Sequence, residues 1–63
     1  MYVLKQKNSN WWIADWEGDP PRTLKLENAK RYKTVRGANI AKTYFLKRFS
    51  HIRKIDLEVL EDV

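Results

Sequence analysis

The chain has 63 residues, no cysteine and a net charge of +5. This length supports one domain, and the missing cysteines exclude a disulfide framework or a thiolate metal site. No stretch approaches the roughly 20 apolar residues of a membrane span, and MYVLKQKNSN lacks a signal peptide's apolar run, so a cytoplasmic location and no membrane partner are expected.

YVLKQK, residues 2–7, reads as a first strand. NSN, residues 8–10, suits a three-residue hairpin loop, because Asn tolerates the left-handed conformation needed at its last position. WWIADW, residues 11–16, returns as a second strand. EGDPPR, residues 17–22, breaks it, since Gly, Asp and two prolines cannot continue a ladder. TLKL at 23–26 reads as a short edge strand, ENAK at 27–30 as one helical turn, and RYK at 31–33 as extended chain.

Thr34 is placed to cap a helix over residues 35–49. Val35, Ala38, Ala41, Phe45, Leu46 and Phe49 share one face of it. Arg36, Asn39, Thr43 and Lys47 lie opposite, and Ile40 and Tyr44 lie off the apolar stripe. SHIR then turns the chain into KIDLEVLE, where Ile55, Leu57 and Val59 alternate with Asp56 and Glu58 as in a half-buried strand. The expected fold is α+β, in β-β-α-β order. A three- to four-stranded, antiparallel-rich sheet carries one helix on one face, and the last strand lies beside the first.

Three tryptophans in six residues dominate the burial available to so small a chain, which hides only about 60% of its unfolded surface. A three-residue loop pairs Leu4 with Ala14 and Gln6 with Trp12. Tyr2, Leu4, Trp12, Ala14 and Trp16 then face inward, and Val3, Lys5, Lys7, Trp11 and Ile13 outward. A two-residue loop reverses the tryptophans, so that Trp12 and Trp16 join the two lysines outside. The first register buries more aromatic area and is the expected one. It exposes Trp11 beside Lys5 and Lys7, the composition of a base-stacking platform. A last strand beside the first would bring Asp56 and Glu58 to the same face and neutralise it.

Residues 22–54 hold eleven Lys and Arg side chains and a single acid, Glu27. A basic span of this kind points to an anionic partner, or to a plain solvated surface. At the helix start, the first-turn N–H groups, the Thr34 hydroxyl, Lys33 and Arg36 could converge on a phosphate or carboxylate. Equally, Gly37 allows close packing and the cations are solvated. KTVRG has neither the spacing nor the ending of a P-loop.

Catalytic chemistry is sparse. His51 is the sole histidine, and its adjacency to Ser50 is not triad geometry. Asp15, Glu17 and Asp19 stop at Gly-Asp-Pro-Pro before a calcium loop could form. No enzymatic activity, cofactor or metal is expected. Pro20-Pro21-Arg22 reads as a strand terminator rather than as a ligand for a proline-binding module.

Within ENAKRYKTVRGANIAKTYFL, residues 27–46, Ala29, Lys30, Tyr32 and Thr34 form an A-K-x-[FY]-x-T segment leading into a helix with Ala38 and Ala41. This resembles small proteins of phages and prophages of Gram-positive bacteria, which place such a segment after an N-terminal hairpin. The resemblance implies the same fold and a phage origin. Those proteins mostly lack an assigned activity, so it brings no site residues.

The functional expectation is a non-enzymatic module, monomeric or weakly dimeric, that binds and modulates a host or phage protein. Trp11, Ile40 and Tyr44 would form the contact, rimmed by Arg36 and Lys47. The alternative is nucleic-acid binding by the basic segment 22–54, through Lys30, Arg31, Lys33, Thr34, Arg36 and Lys47. A dimer closed by a tryptophan face is a third reading.

Overall fold

The computed structural model describes residues 1–18, 21–49 and 55–62. Strands β1 (Tyr2–Gln6), β2 (Trp12–Ile13) and β3 (Arg22–Thr23) precede a 3-10 turn (Leu26–Asn28), helix α1 (Val35–Phe49) and strand β4 (Leu57–Glu61). The sheet order is β3-β2-β1-β4, and every pairing is antiparallel. The α+β fold with one helix on the sheet is therefore present, and the last strand lies beside the first.

The hairpin register differs from the expected one. Lys5 stands opposite Trp12, and the Gln6 N–H donates to the Trp11 carbonyl at 3.1 Å. Residues 7–10 make the loop, with Asn8 rather than Asn10 in the left-handed region at φ 61°. An even loop has the parity of a two-residue turn, so the tryptophans exchange faces. Trp11 turns to the helix side with Ile13, and Trp12 turns away beside Lys5. The expected burial of Trp12 and Trp16 with an exposed Trp11 is thus corrected: Trp12 is half-buried on the opposite face, and Trp16 is exposed.

The core follows from that register. Leu4, Ile13 and Leu57 on the sheet meet Ala38 on α1, and none of the four is exposed. Tyr2, Trp11, Val59, Ala41, Phe45 and Leu46 pack around them. Burying each large aliphatic here stabilises the fold by about 1.5–3 kcal/mol. The helix begins where expected because the Thr34 hydroxyl accepts the Gly37 N–H at 3.0 Å. A Cβ on Gly37 would sit 3.2 Å from that hydroxyl oxygen, a tight contact that the capping side chain would have to yield to.

On the face away from α1, Lys5 is opposite Glu58, and Lys7 pairs with Asp56 at 3.6 Å. Lys7 thus has the expected cross-strand partner, while the Lys5 ammonium donates to the Gln6 carbonyl at 3.4 Å and forms no ion pair with Glu58. Other expectations are shortened. TLKL is not a strand: β3 ends at Thr23, whose hydroxyl accepts the Lys25 N–H at 3.1 Å and bends the chain away. ENAK is replaced by the 3-10 turn one residue earlier, and RYK contributes a single bridge at Tyr32. The expected turn at SHIR, with His51, lies outside the described residues, as do Asp19 and Pro20.

Candidate functional site: a groove beside the helix

The chain leaves β1 after Ile13, and that departure builds the site. The Ala14 N–H donates to the Pro21 carbonyl and the Asp15 N–H to the Asn28 carbonyl, both at 3.1 Å. Ala14 bridges Ala29, while Tyr32 takes the place beside β1, exchanging two 2.8 Å backbone bonds with Tyr2. Residues 14–18 therefore diverge from the sheet and face α1 across an open groove of about 930 Å³.

The floor is apolar. Ala14, Pro21 and Phe49 are buried there, and Tyr32, Ala41 and Phe45 are half-buried. Phe45 meets Tyr44 edge-on at 5.4 Å between ring centres and lies nearly parallel to Phe49 at 6.0 Å. The rim carries Trp16 at 50% exposure, Ile40 at 63% and Tyr44 at 55%. Large apolar side chains gathered at a groove mark an interaction surface more often than scattered ones do. Trp16 also borders a smaller hollow of about 420 Å³ lined by polar residues including Glu27, Asn28 and Arg31.

The charges divide by wall. Asp15 and Glu17 stand on the wall of residues 14–18, and Lys30 holds Asp15 at 3.5 Å. Arg48 stands on the helix wall, its guanidinium carbon 5.6 Å from the centre of the Phe49 ring. Burial, and secondarily the Asp15 charge, raise the Tyr32 phenol above its ordinary pKa. It remains a neutral hydrogen-bonding group at physiological pH.

Of the residues expected to bind protein, Ile40 and Tyr44 are exposed and share this groove. Trp11 does not join them. It is half-buried against the core, with the Arg22 guanidinium carbon 5.8 Å from its ring centre. Trp16 occupies the place expected of Trp11. The chain leaves β1 already after Ile13, and nothing in the alternation of WWIADW marked that departure.

The basic set is dispersed. Arg31 pairs with Asp62 and donates to the carbonyls of Leu26, Glu27 and Ala29, so it is occupied within the fold. Lys30 is held by Asp15, and the Thr34 oxygen serves as the helix cap. Lys33, Arg36 and Lys47 are exposed on and beside α1.

Among the described residues, no group of three or more His, Cys, Asp or Glu could hold a metal ion. Among the same residues, no helix is long and apolar enough to cross a membrane. The chain matches no protein-family model, and comparisons with curated proteins and with solved structures gave no match.

Proposed function

We propose that the chain is a small, non-enzymatic interaction module that docks a partner protein in the groove beside α1. The observation that carries this reading is the convergence of Trp16, Ile40 and Tyr44, each at least half exposed, around an aromatic floor. Holding such side chains in water is unfavourable, and covering them is the gain that drives association. Tyrosine and tryptophan also recur as the anchors of protein interfaces. The resemblance of residues 27–46 to small phage proteins adds a setting: a phage-encoded chain acting on a host or phage protein inside the bacterial cell.

Site-specific photocrosslinking tests this. A photoreactive phenylalanine at position 44 should crosslink a discrete protein in bacterial cells, and the same group at exposed Lys25 should not. Equal crosslinking from both positions would count against the groove.

One observation favours nucleic acid as the second reading. Helix α1 holds Arg36, Lys42, Lys47 and Arg48 without a single Asp or Glu. Phosphate binding there would fall steeply with added salt, because each neutralised phosphate releases counterions. The commitment of Lys30 and Arg31 to carboxylates leaves the expected set with Lys33, Arg36 and Lys47, beside Lys42 and Arg48 of the same helix.

A further inference from the structure

We infer that the free edge of β4 takes up an extended segment of another protein as an added strand, and that this segment carries two Lys or Arg residues flanking an apolar pair. The surface is separate from the groove, since no residue of β4 lines it.

The first argument is the direction of the backbone. β4 ends the sheet, with β1 on one side only. The Lys7 N–H donates to the Asp56 carbonyl at 2.8 Å, and the Asp62 N–H to the Met1 carbonyl at 2.7 Å. Bonded residues alternate along an antiparallel pair, so Glu58 and Leu60 also turn to β1, while Leu57, Val59 and Glu61 turn away. Among the described residues, nothing bonds the backbone groups of those three. Leu57 is buried under α1, whereas Val59 is half-buried and Leu60 and Glu61 are exposed. The approachable length is therefore residues 58–61. An open row of backbone donors and acceptors is a template for a further strand.

The second argument is charge. Residues 56–62 hold four acids and no base. Asp56 is held by Lys7 and Asp62 by Arg31. Glu58 and Glu61 have no ion pair among the described residues, and Lys5, opposite Glu58, donates to the Gln6 carbonyl instead. An added strand sets one residue opposite each of Glu58, Val59, Leu60 and Glu61. Cations opposite the two glutamates then flank two apolar residues, which extend the contacts of Val59 and Leu60. A second copy suits the edge poorly. β4 paired with itself about Val59 would set Asp56 against Asp62 at both ends and supply no cation.

The experiment is selection of random peptides on the immobilised full chain, followed by amide exchange with the enriched peptide. Wild type should enrich two Lys or Arg residues separated by two aliphatic or aromatic ones. Binding should slow exchange of the Val59 and Glu61 amides, which are fast in the free chain. N-methylation of every second peptide residue should abolish binding in one phase and spare it in the other, because only alternate amides face β4. Glu58→Gln/Glu61→Gln should bind the peptide about tenfold more weakly, the effect of two exposed ion pairs.

Peptides with no basic bias that still protect Val59 and Glu61 would overturn the charge of the partner. Binding that leaves both amides unprotected, or no enrichment above a blank surface, would overturn the edge itself. Binding lost with Tyr44→Ser and kept with Glu58→Gln/Glu61→Gln would assign the peptide to the groove and overturn the inference. Protection of Val59 that rises with the concentration of the chain alone would give the edge to a second copy instead.

Discussion

Arg31 and Asp62 form an ion pair that ties the excursion before α1 to the end of β4. The same guanidinium donates to the carbonyls of Leu26, Glu27 and Ala29, so one side chain closes the 3-10 turn and anchors it. Both partners are mostly covered, with side-chain exposures of 34% and 16%, which sets the pair apart from the chain's other, more open salt bridges.

Replacing Arg31 should therefore act on stability before it acts on any partner. Arg31→Ala should cost about 1.5–3 kcal/mol, the range for hydrogen bonds to a charged group. In so small a domain each kcal/mol lowers the melting temperature by about 4–8 °C. Arg31→Lys keeps the charge and loses the fork, so it should recover only part of this. Thermal melts decide it, and an unchanged Arg31→Ala melt would remove the anchoring role.

The rim and the core should respond oppositely. Ile40→Ser and Tyr44→Ser alter exposed positions and should shift stability by no more than about 0.5 kcal/mol. Leu57→Ala opens a cavity under the helix and should cost about 2–5 kcal/mol. Denaturant titration compares them. If Tyr44→Ser unfolds the chain, Tyr44 belongs to the core and not to a docking rim.

Single-tryptophan variants, with the other two changed to Phe, report the hairpin register. Quenching by iodide or acrylamide should be strongest for Trp16 and weaker for Trp11 and Trp12. A three-residue NSN loop would instead make Trp11 the most quenched.

This is also where sequence reasoning reached its limit. The helix was legible because Thr34 supplies a cap and Val35, Ala38, Ala41, Phe45, Leu46 and Phe49 repeat at helical spacing. The last strand was legible from its period of two, and its place beside β1 agrees with the Lys5–Glu58 opposition. The register was not legible. Asn8 and Asn10 both accept a left-handed conformation, and one residue of loop decides the face of every tryptophan. Ile40 and Tyr44 were identified by failing to fit the apolar stripe. Trp16 was missed because strand alternation was extended past Ile13, where the chain already departs to pair with residues 28–30.

Stability should fall at alkaline pH through Tyr32. Its folded phenol is raised by burial first and by Asp15 second, so the unfolded chain ionises at lower pH than the folded one. The contribution is fully present below the unfolded value of about 10 and is lost as pH rises through the folded value. Urea unfolding across this window should show a steeper decline for wild type than for Tyr32→Phe. Parallel declines would show that Tyr32 is not the group responsible.

The docking claim is tested most directly by capture from nuclease-treated bacterial lysate, comparing wild type with Trp16→Ser/Tyr44→Ser at matched stability. The account predicts a discrete protein retained by wild type, insensitive to nuclease, and lost with the double variant. Equal capture by both chains, or capture that disappears with nuclease, would contradict it.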